Sequence, residues 1–165
     1  DNNFVNLRRI CNEGTVYKSI DSRYINYNIH GKNNNTEKMY VLPSTINLNS
    51  PERINIHIAE GPMDILSIRY NLRTDESGIF LAATGSGYKG AILHLINKYG
   101  IFYFNLHIYP DNDRCGNVVE DIYNTILPYG AILYEHRNIY PGEKDFGVHP
   151  SHIKEYVAPM DLWGE

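Results

Sequence analysis

Residues 54–64 read INIHIAEGPMD, an apolar run that ends in a glutamate, a glycine and a proline. The β-branched residues of this run predict a buried strand over Ile54–Ala59, and Pro62 is typical of the first turn of a helix. A second apolar run follows at Ile79–Ala83. A strand that leads directly into a helix and then into another strand is a βαβ unit. These residues therefore predict a parallel sheet.

The same alternation of short apolar runs and helical patterns continues toward the C-terminus. Between the strands, apolar residues recur at the spacing of one helix face. The pattern predicts strands at Ile54–Ala59, Ile79–Ala83, Phe102–Tyr109 and Ala131–Glu135, and helices at 61–72, 88–99, 117–127 and 151–157. We therefore expect an α/β domain over residues 54–150, a mainly parallel sheet flanked by helices, followed by a C-terminal helix and tail over 151–165.

Residues 1–53 have a different composition, with Asn-rich turns between runs of Tyr, Ile and Val. The runs at 15–20, 23–30 and 39–42 predict an antiparallel ribbon. The charge balance changes at the same boundary, since residues 1–53 carry seven Lys or Arg and five Asp or Glu, whereas residues 54–165 carry eight and fourteen. We therefore expect a small strand-rich segment to precede the α/β domain, and the acidic excess to lie in that domain.

The composition excludes several classes of protein. The 165 residues include 42% hydrophobic side chains and have a formal net charge of -4, which indicates a globular domain and neither a disordered chain nor a strongly basic DNA binder. The sequence lacks an apolar run of about 20 residues and a basic-then-apolar signal sequence, so we expect a cytoplasmic protein without a membrane partner. Cys11 and Cys115 are too few for a zinc site, and we expect no disulfide. Because the chain does not begin with Met, we expect it to be part of a longer protein.

Acidic side chains follow three of the four predicted strands. Glu60 and Asp64 come after the first strand, Asp111 and Asp113 after the third, and Asp145 after the fourth. A single Asp-x-Asp pair is usually a solvated turn, but groups that follow several parallel strands meet at one edge of the sheet. Carboxylates at such density repel each other unless a cation lies among them. Oxygen ligands without Cys or His favour Mg²⁺ or Mn²⁺, which usually act on phosphate.

A second motif, GSGYKG at residues 85–90, matches G-x-G-x-x-G between a strand and a helix. This pattern is typical of dinucleotide-binding domains, and Lys89 near the helix start suits a phosphate. A dinucleotide site ranks second as an interpretation, because these glycines follow the second strand and because it leaves the acidic residues without a role. The glycines also fit a simple tight turn.

Three strings resemble the TOPRIM domain: IAEGPMD at 58–64, TGS at 84–86 and DNDRCG at 111–116. That domain is shared by bacterial and phage primases, type IA and type II topoisomerases, OLD-family nucleases and some small ribonucleases. With Lys144-Asp145, the strings are most similar to the primase branch, over about residues 54–148. The resemblance implies a DNA primase, a Mg²⁺-dependent nucleotidyltransferase that makes RNA primers on a single-stranded DNA template from nucleoside triphosphates, with a replicative helicase as a further partner.

The resemblance also implies a role for each motif residue. Glu60 would act as an acid or base close to the metal, Asp64 would orient the acidic cluster, and Gly61 would allow a tight backbone turn. The metal ligands would be Glu60, Asp111, Asp113 and Asp145. The residues near the nucleotide phosphates would be Gly61, Gly85, Ser86, Lys89 and Lys144. The residues near the template would be Arg23, Lys32 and Lys38.

Two other functions remain open at this stage. A TOPRIM nuclease would use the same ligands with water as the attacking group, and a non-catalytic module would bind nucleic acid or a replication partner without turnover. The sequence also departs from the primase pattern at Gly147, where many primases carry a further acid. His57 and His107 occupy alternate positions within predicted strands, and we expect them to be partly buried and hydrogen-bonded rather than metal ligands.

Overall fold

The structure is a computed structural model, and it describes residues 4–8, 24–28, 39–42, 52–83, 87–113 and 115–158. Its internal contacts divide the chain into two units, residues 1–38 and residues 39–165. In the first unit, strand β1 (Phe4–Arg8) pairs antiparallel with β2 (Tyr24–Asn28). β2 lies inside the strand predicted at 23–30, and β1 was not predicted.

Several predictions for the N-terminal segment fall outside the described residues. They are the strand at 15–20 and the template-binding residues Arg23, Lys32 and Lys38. These remain predictions.

The second unit is an α/β domain built on one six-stranded sheet in the order β3-β5-β4-β6-β7-β8. The inner four strands are parallel and the two edge strands are antiparallel to their neighbours. The strands are β3 (Tyr40–Val41), β4 (Asn55–Ala59), β5 (Ile79–Ala82), β6 (Asn105–Tyr109), β7 (Ile132–Asn138) and β8 (Glu155–Ala158). The predicted α/β class, a mainly parallel sheet flanked by helices, is therefore confirmed.

Helices connect the parallel strands and cover both faces of the sheet. The helices are α1 (Pro62–Ser67), which continues as a π-helix (Ile68–Leu72), α2 (Tyr88–Tyr99), α3 (Cys115–Ile126), which ends in a 3₁₀ turn (Leu127–Tyr129), and a 3₁₀ turn at Pro150–His152. Among the described residues, no helix is both long enough and apolar enough to cross a membrane.

Alternate side chains of each strand point to opposite faces, and the two faces form separate clusters. One face packs Ile56, Ile58, Leu106 and their neighbours against α2 and α3. The other face packs Phe80 and Tyr109 with residues of α1 and the π-helix. Because helices cover both faces, β5 is entirely apolar and β4 and β6 are mostly so, which is why the sequence predicts them well. The exceptions are one Asn and one His in each of β4 and β6, and β7 is polar over its last four residues.

The structure differs from the predicted N-terminal ribbon at residues 39–42. β3 pairs with β5 instead, with Tyr40 opposite Ala82, and the N–H of Leu42 donates to the carbonyl of Phe80 (2.9 Å). Leu42 is buried against the face that carries Phe80. β3 therefore belongs to the α/β unit. The boundary between the two units in the sequence lies between residues 38 and 39, not between 53 and 54 as the composition suggested.

The C-terminal helix predicted at 151–157 is wrong. Glu155–Ala158 is strand β8, and it pairs antiparallel with the end of β7, with Glu155 opposite Asn138. The open edge of β7 offers backbone hydrogen bonds to this segment, and that tertiary pairing outweighs the weak local helical pattern. The tail at 159–165 lies outside the described residues.

Candidate functional site

The strand order changes direction between β4 and β6. The chain goes from β4 to β5 on one side, then returns to β6 on the other. In open α/β sheets, the crevice beyond the carboxyl ends of two such strands is the usual place for a ligand. Ala59 at the end of β4 pairs with Tyr109 at the end of β6, so the loops that begin at Glu60 and Pro110 start side by side. Both predicted acidic motifs therefore leave the sheet at this point.

Asp64 lies in the first turn of α1, close to two other carboxylates. Its Oδ2 accepts a hydrogen bond from the Gly61 N–H (3.0 Å). Burial raises the pKa of Asp64 to about 7, and the charges of Asp145 and Asp111 add to this effect. Burial is the largest cause, and the smaller part that comes from the two neighbouring aspartates is the part that a bound cation would offset.

Two glycines allow the backbone to approach Asp64 closely. A Cβ on Gly61 would lie 2.8 Å from Asp64 Oδ2, and a Cβ on Gly147 would lie 2.6 Å from Asp64 Oδ1 and 3.5 Å from Asp145 Oδ1. The backbone of Gly61 is extended (φ -111°, ψ 156°), so this glycine serves close approach and not the tight turn that the resemblance implied. The space that an acid at position 147 would use is already filled by Asp64.

Lys144 lies among the acidic groups. Its Nζ donates to Asp111 Oδ2 (2.8 Å) and lies 3.7 Å from Asp145 Oδ2. The hydrogen bond with Asp111 raises the pKa of Lys144, and the charges of Asp145 and Asp113 act in the same direction. Asp111 is only 13% exposed, whereas the Lys144 side chain is 55% exposed. The ammonium group therefore neutralises the acidic residues and remains able to reach a ligand.

The loops that carry these residues are held together by Asn112. Its N–H donates to the carbonyl of Lys144 (2.8 Å), and its side-chain amide donates to the carbonyl of Asn138 (2.8 Å). Asp113 is exposed beside this contact, and Glu60 is partly buried at the end of β4. We call Glu60, Asp64, Asp111, Asp113, Lys144 and Asp145 the acidic edge.

The glycine-rich motif at residues 85–90 is described only in part. Gly85 and Ser86 lie outside the described residues. Lys89 does not contact the acidic edge in this structure, since its Nζ pairs with Asp121 of α3 (3.2 Å) and both side chains are at least half exposed. A Cβ on Gly90 would meet no atom within 4 Å, so helix packing does not require this glycine as a dinucleotide fingerprint would.

Sequence reasoning missed the extent of a polar cluster on the sheet face that packs against α1. His57 stacks between Phe80 (ring centroids 4.4 Å apart) and His107 (4.6 Å). Its Nε2 lies 2.9 Å from Glu76 Oε1 and its Nδ1 lies 3.1 Å from the Tyr109 hydroxyl. His57 and His107 are therefore buried or partly buried and hydrogen-bonded, as predicted. We call His57, Glu76 and His107 the histidine triad.

Outer residues continue this cluster across the sheet. His107 Nδ1 lies 2.9 Å from His136 Nε2, and His136 Nδ1 lies 2.8 Å from Glu155 Oε1. Arg73 pairs with Glu155, and its Nε lies 3.4 Å from Glu76 Oε2. Each of β4, β6 and β7 carries one histidine, and this shared feature could have indicated the cluster from the sequence. Glu76 lies in a loop, and nothing in its local sequence marks it.

Comparison of the chain with protein-family models, with curated proteins and with solved structures finds no match.

Proposed function

We propose that the α/β unit is a TOPRIM-type domain of a DNA primase, which uses Mg²⁺ or Mn²⁺ at the acidic edge to transfer nucleotides. The observation that carries the proposal is the convergence of Asp64, Asp111 and Asp145 beside the carboxyl ends of β4 and β6, with Lys144 paired to Asp111 and near Asp145. The proposal places the protein in the cytoplasm, where single-stranded DNA, nucleoside triphosphates and a replicative helicase are its partners.

The donor set of the acidic edge fits the proposed ion. All of its acidic groups offer carboxylate oxygen, which is the ligand that Mg²⁺ and Mn²⁺ prefer. Glu60, Asp111, Asp113 and Asp145 would hold the ion, and its binding would require Lys144 Nζ to move away from Asp111. Mg²⁺ bound there would neutralise the charge that develops on the phosphate oxygens of a nucleotide.

The protein's own residues would position and deprotonate the reactants. Lys144, once displaced from Asp111, can pair with the β- or γ-phosphate of an incoming nucleotide as a point charge. Glu60 would accept the proton of the attacking 3′-hydroxyl. Asp64 is fixed by the Gly61 N–H and lies near Asp145 and Asp111, so it orients their loops. This division of roles is that of a metal-dependent phosphoryl transfer, in which positioning and charge stabilisation do most of the catalysis.

The test is an assay with labelled single-stranded DNA, four ribonucleoside triphosphates and Mg²⁺ or Mn²⁺. The fragment alone is not expected to extend primers, so the assay uses the full-length protein, from which we expect RNA products that disappear in the double variant Asp111→Asn, Asp113→Asn. The matched control is Asp75→Asn, Asp121→Asn, which removes the same charge from two exposed positions. Shortening of the DNA would show that the site belongs to a nuclease and not to a primase. Saturable metal binding without either reaction would leave a non-catalytic module and overturn the proposed activity.

A further inference from the structure

We propose that the histidine triad, His57, Glu76 and His107, is a site for Zn²⁺ or another divalent first-row transition ion, separate from the acidic edge. One ligand atom from each residue lies within 4.8 Å of the other two. His57 lies two residues before Ala59, the last residue of β4, so this site lies about 7 Å from the carboxyl end of the strand at about 3.3 Å per residue.

To hold an ion the triad would have to contract and one ring would have to turn, because the rings of His57 and His107 are stacked nearly parallel (interplanar angle 15°) and a metal lies in the plane of each imidazole that binds it. Ligands of tetrahedral zinc lie about 2.0–2.2 Å from the metal, which puts neighbouring ligand atoms about 3.4 Å apart. His57 Nε2 and Glu76 Oε1 are already 2.9 Å apart and would separate slightly. The ligand atoms lie up to 4.8 Å apart, so His107 would move inward by up to about 1.4 Å, and its partly exposed ring would have to turn out of its stack on His57. Two imidazoles and one carboxylate form a ligand set that zinc proteins use, with a fourth position left for water.

Outer hydrogen bonds hold both imidazoles in place. A histidine that binds a metal through one ring nitrogen almost always uses the other in a hydrogen bond that fixes its orientation. His57 uses Nδ1 with the Tyr109 hydroxyl, which can either donate or accept. His107 uses Nδ1 with His136, whose other nitrogen faces Glu155. This arrangement leaves His57 Nε2 and the Nε2 of His107 as the two ligand nitrogens.

The protonation states also suit a metal. Burial lowers the pKa of His57, and burial together with the charges of His57 and His136 lowers the pKa of His107 to about 3. Both rings are therefore neutral near pH 7. A neutral imidazole has one N–H and one lone pair, so His57 would bind an ion through Nε2 only after its proton moved from Nε2, which bonds Glu76, to Nδ1, where the Tyr109 hydroxyl would accept it. The hydrogen bond from His57 lowers the pKa of Glu76, which is therefore ionised.

The surrounding charges favour a cation at this face. Glu76 and Glu155 are negative and Arg73 is positive, so these three groups together carry one negative charge before any ion binds. Glu76 is 29% exposed, which gives an ion a route from solvent to the buried His57. Imidazole ligands select Zn²⁺, Co²⁺ or Ni²⁺ over Mg²⁺, so the two sites would select different metals. An ion here would join the loop that carries Glu76 to β4 and β6.

The test is a titration of the tag-free protein with Co²⁺, followed by the visible absorption that four- or five-coordinate Co²⁺ gives. We expect one Co²⁺ per chain at this site, displaced by an equivalent of Zn²⁺ and not by excess Mg²⁺. Glu76→Gln keeps the size of the side chain and its acceptor for Asn55 but removes the carboxylate. We expect it to lower the affinity for Co²⁺ and Zn²⁺ by about tenfold or more.

His107→Asn is a second variant at a partly exposed position, and its expected loss of affinity is similar. The matched controls are Glu120→Gln on the exposed side of α3 and His94→Asn on α2, and both should bind Co²⁺ as the native chain does. Circular dichroism and thermal melting in EDTA confirm that each variant folds. Unchanged Co²⁺ affinity in folded Glu76→Gln and His107→Asn, an equal loss in the control variants, or no saturable binding to the native chain would each overturn the site. None of these results depends on nucleotidyl transfer.

Discussion

The acidic edge and the histidine triad lie on the same sheet but are built in different ways. Glu60, Asp64, Asp111 and Asp113 come shortly after β4 or β6, which are parallel and end at the same edge. Lys144 and Asp145 come from the loop after β7, six and seven residues beyond the end of that strand. The histidine triad lies within β4 and β6, and it is completed by Glu76 from a loop. One site offers oxygen ligands beside a lysine, and the other offers neutral imidazoles beside a carboxylate. The comparison teaches that one sheet can present two sets of candidate ligands whose chemistry favours different metals.

The largest expected effect concerns the ionisation of Asp64 and its effect on the free energy of unfolding. The folded-state pKa of about 7 lies above the value of 3.8 for a free aspartate. The folded protein therefore holds this proton more tightly than the unfolded chain, and the contribution of Asp64 to the free energy of unfolding falls as pH rises from about 4 to about 7. Asp64→Asn cannot ionise and keeps an oxygen acceptor for Gly61 N–H.

We therefore expect the free energy of unfolding of Asp64→Asn to be higher than that of the native chain. The difference should grow with pH, up to about 4 kcal/mol above pH 7. Urea unfolding in EDTA at pH 5 and pH 8 measures the difference. The titrations of His57 and His107 are common to both proteins and cancel in the difference. An equal difference in the free energy of unfolding at the two pH values would show that folding does not raise the pKa of Asp64.

A smaller effect is expected from Gly147→Ala, because the added Cβ would lie 2.6 Å from Asp64 Oδ1 and 3.5 Å from Asp145 Oδ1. Asp64 has to rotate or the loop has to move, so we expect Mg²⁺ affinity to fall about tenfold, the size typical of a lost supporting contact. Calorimetric titration measures the change. Gly90→Ala is the control, since its Cβ meets open space in α2, and it should gain about 0.5–1 kcal/mol of stability with Mg²⁺ affinity unchanged. Similar Mg²⁺ affinities in the two variants would contradict the close packing around Asp64.

Lys144→Met tests the competition between the lysine and the metal. The ammonium group pairs with Asp111 and lies near Asp145, so its removal should raise Mg²⁺ affinity by a few-fold, about 0.5–1 kcal/mol for a partly exposed ion pair. The same variant should bind nucleoside triphosphates more weakly. Titrations with Mg²⁺ alone and with Mg²⁺ and nucleotide separate the two effects. A fall in both affinities would show that Lys144 supports the loops and does not compete with the ion.

The smallest effect is expected from Lys89→Met, which removes an exposed pair with Asp121. Such a pair contributes about 0–0.5 kcal/mol, and the structure places Lys89 against α3 and not at the acidic edge. We expect nucleotide binding to be unchanged in fluorescence titrations. A clear loss of nucleotide affinity would return Lys89 to the phosphate site that the glycine-rich motif predicted.

The sequence predicted the inner sheet well for a physical reason. β4, β5 and β6 are buried between helices on both faces, so each is a short apolar run that can be identified without its neighbours. β8 was missed because its partner is the open edge of β7, and the residues 155–158 alone do not specify that pairing. β3 was identified as a strand but given the wrong partner for the same reason.

The acidic edge could be predicted from the sequence more completely than the histidine triad. Asp64 lies in the first turn of α1 and Asp111 comes two residues after β6, so their meeting follows from the topology. Asp145 lies seven residues after β7, and its position depends on the path of a loop. The positions of His57 and His107 predicted burial, which is confirmed, but Glu76 joins them only through the path of the loop after the π-helix. That path depends on contacts of Arg73 with Glu155 and Glu76, which are distant in the chain or outside any repeating pattern.

The central claim is that the acidic edge binds a metal through oxygen ligands independently of the histidine triad. Its most direct test is a Mn²⁺ titration followed by electron paramagnetic resonance of the free ion. We expect Asp111→Asn, Asp113→Asn to weaken Mn²⁺ binding by about tenfold or more, and Glu76→Gln and the control Asp75→Asn, Asp121→Asn to leave it unchanged. Equal Mn²⁺ affinity in the Asp111, Asp113 double variant and its control would contradict the claim.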